Sequence, residues 1–180
     1  DARYIIVVRN PKEVVVSGFH FENGFYEKMV GDVVPLSAYV EGFLSGTYLY
    51  DSWAVHTASW WALRERPNVL LLLYSDMKAD AAAAIHQIAE FMGVALTSPQ
   101  FAKVAEKSSY GYMKANNHLF SPPTPPDYPV QGKIEMVRTG QSGKAPSELT
   151  TKQQQAMDEF CMAELARLGS DFPYQDLFLA

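Results

Sequence analysis

Two residues near the start of the chain could together bind an anion. Arg9 directly follows the run Tyr4–Val8, and Ser17 stands eight residues further on. An arginine that leaves a strand immediately before a helix N-terminus combines a guanidinium fork with free backbone N–H groups. Ser17 adds a hydroxyl donor if the helix turns back toward this point. The pattern is typical of an anion site, and a surface ion pair between Arg9 and a nearby acid such as Glu13 explains it at least as well.

Tyr74 stands in a similar position, at the end of a second apolar run that begins at Val69. In open α/β sheets, ligands bind outside the carboxyl ends of the strands. The sequence therefore predicts that Arg9 and Tyr74 lie at one edge of a sheet, where both side chains can reach a ligand.

The elements that would position these residues alternate between strands and helices. The apolar runs 4–8 and 69–74 are continuous, which is typical of strands covered on both faces. Asn10 is expected to cap a helix with Pro11 at its first position, and Gly and polar residues predict a loop over 24–35. Helical spacing predicts further helices over 36–44, 48–64, 79–92 and 150–168, with a short one after Pro99. This order predicts an α/β fold with a parallel sheet flanked by helices.

The length of 180 residues is typical of a single domain, which we take as 1–180. Within it, the segment 118–137 contains Pro122, Pro123, Pro125, Pro126 and Pro129, and such a density of prolines predicts an irregular loop. Two strands cannot bury both the edges and the faces of a sheet. We therefore expect further strands on the N-terminal side, which means that the chain is N-terminally truncated.

Composition excludes several classes of function. Hydrophobic residues make up 48% of the chain and charged residues 19%, as in folded globular proteins. The net charge of −5 argues against a nucleic-acid partner, whose phosphates require clustered Lys and Arg. The longest apolar runs, Val69–Leu73 among them, are far too short to span a membrane, so no membrane partner is expected.

The cysteine and histidine content argues against disulfide and metal chemistry. Cys161 is the single cysteine, which rules out an intramolecular disulfide, and its helical spacing with Leu165 and Leu168 predicts a buried structural thiol. A reducing, cytoplasmic location fits. The four histidines, His20, His56, His86 and His118, do not pair with acids or Cys161 at metal-ligand spacing, so we expect no metal.

Several segments, in their order along the chain, resemble the sulfotransferase family that uses PAPS (3′-phosphoadenosine 5′-phosphosulfate). The resemblance covers nearly the whole chain and is weakest over 118–135. It implies the P-loop NTPase-like α/β fold of that family. The matching segments are Tyr4-Ile-Ile-Val-Val-Arg-Asn-Pro-Lys-Glu-Val-Val-Val-Ser17, Val69-Leu-Leu-Leu-Leu-Tyr-Ser-Asp-Met-Lys78, Ser108-Ser-Tyr-Gly-Tyr-Met-Lys-Ala-Asn-Asn117 and Arg138-Thr-Gly-Gln-Ser-Gly143.

The family resemblance implies a role for each of these segments. Arg9 and Ser17 stand where the family binds the nucleotide 3′-phosphate, and Tyr74 stands where a tyrosine lines the adenine pocket. Phe21 matches an aromatic position in the acceptor pocket. Further positions implied to surround the adenine are Ser108, Ser109, Tyr110 and Met113, and those implied to close on the 3′-phosphate are Arg138, Thr139 and Gly140.

The reaction implied by the resemblance is transfer of the sulfuryl group of PAPS to a hydroxyl or amine of a small-molecule acceptor. The product of the co-substrate is adenosine 3′,5′-bisphosphate. In the family, the Gly-rich loop that wraps the phosphosulfate and the catalytic His lie upstream of the strand that opens this chain. The resemblance therefore assigns no catalytic residue here, and it predicts that this chain is inactive by itself.

Two departures leave alternatives open. Of the family's dimer signature, which would fall over 146–155, the Thr at Thr150 is retained, so the resemblance does not extend to the dimer. One alternative function is a catalytically inactive relative that binds the nucleotide or a partner. Another is an ATP-using P-loop kinase relative, although Arg9 and Ser17 together with Arg138 favour a 3′-phosphate, which ATP lacks.

Overall fold

Two short parallel strands form the sheet of the described part of the chain. The computed structural model describes residues 2–46, 52–120, 136–138, 140 and 145–179. Strand β1 (Tyr4–Val8) pairs with β2 (Val69–Leu73) in a register that sets Tyr4 opposite Val69 and Val8 opposite Leu73. Both predicted strands and their parallel pairing are confirmed. The second strand ends one residue early because Tyr74 begins a helix.

Nine α-helices accompany this sheet in the described residues. They are α1 (Pro11–Val30), α2 (Leu36–Leu44), α3 (Trp53–Trp61), α4 (Tyr74–Ala79), α5 (Ala81–Met92), α6 (Ser98–Ser108), α7 (Tyr110–Ala115), α8 (Thr151–Arg167) and α9 (Tyr174–Phe178). Short 3₁₀ turns occur at Asn117–Leu119 and Ala145–Glu148. Helix α9 was not predicted from the sequence. None of the helices described is both long enough and apolar enough to cross a membrane.

The predicted helix caps are confirmed at both ends of the chain. Asn10 Oδ1 accepts a hydrogen bond from the backbone N–H of Lys12 at 3.0 Å, with Pro11 in the first helical position of α1. Thr150 and Gln153 form a reciprocal capping box at the start of α8. These side chains satisfy backbone N–H groups that the helix itself cannot pair, so local sequence fixes where both helices begin.

The predicted loop over 24–35 is wrong in its first half, because α1 continues through Gly24 to Val30. A single Gly costs a helix only about 1 kcal/mol relative to Ala. The rings of Phe21 and Phe25, one turn apart on either side of Gly24, lie 4.9 Å from each other and stabilise this turn. The helix ends at Gly31, whose φ of 74° is the left-handed conformation of a helix C-terminus.

The predicted helix over 48–64 is shorter in the structure. Helix α3 begins at Trp53, where the Ser52 hydroxyl accepts from the N–H of Ala54 at 3.2 Å, and it ends at Trp61. Residues 48–51 lie outside the described part of the chain. Most of the proline-rich segment, 121–135, also lies outside it.

The hydrophobic core lies where α1, α2, α3 and α8 pack together against one face of the sheet. Val8 and Val15 are buried there, with Ile6 packed against them. Ile5 and Val7, which alternate with Ile6 and Val8 along β1, are 38% and 42% exposed. The expectation that β1 is covered on both faces is therefore wrong for the described residues, since they cover one face.

A buried polar network joins α1 to α8 and α9. Lys12 Nζ donates to both carboxylate oxygens of Asp158, at 2.7 and 2.8 Å, and the hydroxyl of Tyr174 donates to Asp158 Oδ1 at 2.7 Å. Cys161, on the next turn of α8, is fully buried, as predicted. Burial raises the pKa of its thiol to about 12, and burial followed by the nearby Cys161 and Asp158 also raises the pKa of Tyr174. The network fixes the first turn of α1 against the C-terminal helices.

Candidate functional site

A cavity of about 930 Å³ opens beside the carboxyl ends of the two strands. Arg9 and Tyr74, the residues that follow β1 and β2, both line it. Helices α1, α4, α5, α6 and α7 form its walls together with residues 136–138 and Gly140. Its volume is within the usual range for cavities that hold small molecules and cofactors.

The structure brings the residues predicted to bind a nucleotide together in this cavity. Although they come from segments up to 131 residues apart, the described members of the set line the same space: Arg9, Ser17, Tyr74, Ser108, Ser109, Tyr110, Met113, Arg138 and Gly140. Thr139 lies outside the described residues. Phe21 does not line the cavity; it is 40% exposed on α1 and packs against Phe25.

Arg9 is held on three sides. Its Nε donates to Glu13 Oε2 at 2.8 Å, and its guanidinium carbon lies 4.3 Å from the centre of the Tyr74 ring. The Trp53 indole donates to the backbone oxygen of Arg9 at 3.0 Å. The pairing with Glu13 that the sequence offered as an alternative therefore exists, and Arg9 lines the cavity as well. The two interpretations of this arginine are compatible.

Arg138 lines the cavity from a segment that is far from Arg9 in the sequence. Its Nη1 lies 3.4 Å from Glu148 Oε1, and Glu148 Oε2 lies 2.7 Å from His20 Nε2 on α1. Glu148 thus connects the segment that carries Arg138 to α1. The side chains of Arg138 and Glu148 are 39% and 34% exposed, so the contact is open to water and weak.

Two lysines hold Val137, Arg138 and Gly140 in place over the cavity. Lys114 Nζ donates to the carbonyl oxygens of Val137 and Arg138 at 2.8 and 3.1 Å, and Lys78 Nζ donates to that of Gly140 at 2.9 Å. The Tyr110 hydroxyl also donates to the Arg138 carbonyl, at 3.2 Å. Gly140 has a φ of 62° and lies directly against the Tyr110 ring, where a side chain would overlap the ring. Glycine is required there for both reasons.

The charge of the cavity differs from that of the whole chain. Among the described residues that line it, Arg9, Lys78 and Arg138 are cationic, whereas Glu13 and Glu148 are anionic, which leaves a net charge of +1. The whole chain carries −5. The lining of the cavity is thus slightly positive although the chain as a whole is negative. No group of three or more His, Cys, Asp or Glu side chains in the described residues could hold a metal ion.

Apolar side chains form the rest of the wall. Met113 and the ring of Tyr110 lie on one side, and the side chains of α5 that face the cavity include Ile85 and Ile88. An aromatic ring and a thioether are suited to the face of a planar heterocycle. The cavity therefore combines an apolar part with a cationic part, as a ligand with a flat ring and an anionic group would require.

Sequence reasoning did not assign Glu13, Lys78, Lys114 and Glu148 to this site. Lys78 and Lys114 each follow a Met within segments that carry the family resemblance, and this was the signal available for them. Glu148 gave no signal, because its partners His20 and Arg138 are distant in sequence.

Comparison with known proteins decides the family. The model of the sulfotransferase domain matches residues 1–169. The chain belongs to the sulfotransferase family. Sulfotransferase 2A6 of Mus musculus is 35% identical over 158 residues, which are 88% of this chain and 54% of that protein. Sulfotransferase 2A1 of Homo sapiens is 32% identical over 175 residues, 97% of this chain and 60% of that protein.

Two solved structures confirm the α/β fold. Mouse sulfotransferase SULT7A1 complexed with PAP has a TM-score of 0.73 and 28% identity, over 91% of this chain and 58% of that one. Retinol dehydratase in complex with androsterone and inactive cofactor PAP has a TM-score of 0.76 at 21% identity, over 97% of this chain and 50% of that one. This sulfotransferase chain spans between half and two thirds of the length of these relatives.

Proposed function

We propose that the whole protein transfers the sulfuryl group of PAPS to a hydroxyl or amine of a small-molecule acceptor, and that the cavity of this chain binds the 3′-phosphate and adenine of the nucleotide. The reaction is proposed for the whole protein, because the chain spans 54% to 60% of the curated relatives described above. PAPS would supply the sulfuryl group, and adenosine 3′,5′-bisphosphate would be released.

One observation carries this proposal: two arginines from distant segments, Arg9 and Arg138, line one cavity that also has an aromatic and apolar wall. A guanidinium presents planar donors that match the oxygens of a phosphate, and two of them suit a dianion. Ser17 adds a hydroxyl to the same wall. Tyr74, Tyr110 and Met113 provide the surface for a purine.

The acceptor belongs to the finer part of the proposal. Solved relatives have been crystallised with androsterone and with retinol, both in complexes of retinol dehydratase. We propose a small-molecule acceptor for this protein on the strength of that likeness. Phe21, which lies away from the nucleotide cavity, is a proposed acceptor contact.

The nucleotide assignment is tested by calorimetric titration of the whole protein with adenosine 3′,5′-bisphosphate and, separately, with ATP. The bisphosphate should bind more tightly, because ATP has no 3′-phosphate for Arg9 and Arg138 to hold. Arg9→Ala should weaken binding of the bisphosphate by about 10- to 150-fold, since a charged hydrogen bond contributes about 1.5 to 3 kcal/mol.

A matched control is Arg167→Ala, which removes a guanidinium that is paired with Glu164 on α8 and does not line the cavity. This variant should bind the bisphosphate like the parent. If ATP binds better than the bisphosphate, or if Arg9→Ala leaves the bisphosphate affinity unchanged, the proposed nucleotide site is wrong.

A further inference from the structure

The guanidinium of Arg9 is fixed before any ligand arrives. In the described part of the chain, its side-chain hydrogen bond is made through Nε, to Glu13 at 2.8 Å, while the Tyr74 ring covers one face at 4.3 Å. The backbone of the same residue is held by Trp53. Since Nε is occupied, the terminal nitrogens Nη1 and Nη2 are the donors that remain for a ligand in the cavity.

Glu13 differs from an ordinary surface partner. Its side chain is 8% exposed, and that of Arg9 is 24% exposed. On α8, by contrast, Arg167 pairs with Glu164 while 62% of the Arg167 side chain remains exposed to water. A carboxylate as buried as that of Glu13 needs hydrogen bonds to its oxygens, and Arg9 provides one of them. Glu13 also lines the cavity, so its position bears directly on the anion site.

Two effects of Glu13 on an anionic ligand oppose each other. Its negative charge repels a phosphate at short range, which lowers affinity. Its hydrogen bond to Nε removes the rotamer freedom that Arg9 would otherwise lose on binding, which raises affinity. Because the contact is short and the Glu13 carboxylate is buried, we expect the second effect to be the larger.

We propose that Glu13 is a positioning residue that, together with the Tyr74 ring, directs Nη1 and Nη2 of Arg9 toward the 3′-phosphate of the nucleotide. This inference rests on the proposed function and adds a residue that the family resemblance did not assign. Glu13 acts through Arg9 and makes no contact of its own with the ligand.

The test compares Glu13→Gln with Glu13→Met in the whole protein, by titration calorimetry with adenosine 3′,5′-bisphosphate. Both substitutions remove the charge and keep a similar volume, but Gln retains an oxygen that accepts from Nε and Met does not. Binding to the Gln variant should stay within about threefold of the parent, and the Met variant should bind about tenfold more weakly than the Gln variant, as the loss of one hydrogen bond implies.

Two controls separate positioning from a general loss of structure. Adenosine 5′-monophosphate lacks the 3′-phosphate, so its affinity should be the same in the Gln and Met variants. In a protein that already carries Arg9→Ala, the Gln and Met substitutions should also give equal affinities for the bisphosphate. If the Met variant does not fold, as judged by circular dichroism, Glu13→Ala takes its place.

The outcomes distinguish this inference from the proposed function. If Arg9→Ala weakens bisphosphate binding but Gln and Met at position 13 bind equally, the positioning role is wrong and the site stands. Tighter binding by both variants would show that Glu13 competes with the phosphate. If the Met variant loses affinity for adenosine 5′-monophosphate as much as for the bisphosphate, Glu13 has a structural role. If Arg9→Ala has no effect, the proposed function itself fails.

Discussion

In the part of the chain that the structure describes, two ion pairs lie at the start of α1, and they differ in what surrounds them. Lys12 and Asp158 lie between packed helices, where the ammonium binds both carboxylate oxygens and Tyr174 adds a further donor. Arg9 and Glu13 lie beside a cavity, and Arg9 uses Nε for the pair. Lys12 and Glu13, which are neighbours on α1, thus belong to pairs that serve two purposes. A pair whose groups satisfy each other stabilises the fold, whereas a pair with unused donors is available to a ligand.

The largest change in the free energy of unfolding should come from Asp158→Ala. It leaves the buried ammonium of Lys12, whose side chain is 8% exposed, without its partner. Breaking a buried pair in this way costs about 3 to 5 kcal/mol. Urea denaturation should show that loss in the free energy of unfolding, while affinity for adenosine 3′,5′-bisphosphate is retained under conditions where the variant is folded.

The matched control for Asp158→Ala is Glu164→Ala, on the same helix, which removes a half-buried carboxylate whose partner Arg167 is 62% exposed. The stability of this variant should change little, because the guanidinium left without its partner is open to water. A loss below about 1 kcal/mol for Asp158→Ala would contradict the division between the two pairs, since the packed pair would then behave like a surface pair.

A smaller effect is expected from pH at the junction between α1 and α8, where Cys161 is buried. Burial raises the pKa of Cys161 from 9.0 to about 12, so above pH 9 the unfolded thiol releases its proton while the folded thiol keeps it. The contribution of the neutral Cys161 thiol to the free energy of unfolding is fully present below pH 9. It is lost as the pH rises toward 12, by at most about 1.4 kcal/mol per pH unit. Urea denaturation at pH 8 and pH 10 should show a fall in the free energy of unfolding.

Cys161→Ala should make that fall smaller by about 1 kcal/mol. Part of the fall should remain in the variant, because the raised pKa of Tyr174 acts in the same direction. A variant whose stability falls as steeply as that of the parent would show that the thiol is not held in its neutral form by burial.

The smallest effect should come from Tyr174→Phe, which removes one hydrogen bond to Asp158 and leaves Lys12 in place. We expect a loss of about 1 kcal/mol in the free energy of unfolding. Tyr26→Phe, at a tyrosine that is 41% exposed on α1, is the control and should be neutral. A loss as large as that of Asp158→Ala would mean that the hydroxyl, rather than the ion pair, holds the junction together.

Local signals in the sequence predicted much of the fold. The runs that form β1 and β2 were recognised from their uninterrupted apolar residues, and the start of α1 from Asn10 and Pro11. These features depend on residues within one turn or one strand. The end of α1 was missed, because Gly24 looks like a break and the Phe21–Phe25 contact that stabilises the helix there depends on the fold.

The site residues that could be predicted stand in contiguous segments of the sequence that resemble the family. Arg9, Ser17, Tyr74 and Arg138 line one cavity as expected, and their role in binding a nucleotide stays a prediction. Side-chain pairs between distant segments were not predictable in the same way. Lys12 and Asp158 are 146 positions apart, and Glu148 and His20 are 128 apart, so no periodicity connects them.

The complete burial of Cys161 has a practical consequence. A thiol reagent attacks the thiolate, and a thiol with a pKa of about 12 has almost none near neutral pH. Labelling at this single cysteine should therefore occur when the junction between α1 and α8 opens, and its rate would report how often that happens. Because the chain has one cysteine, the modified peptide that contains Cys161 identifies the opened region. The residue is an intrinsic probe of local unfolding.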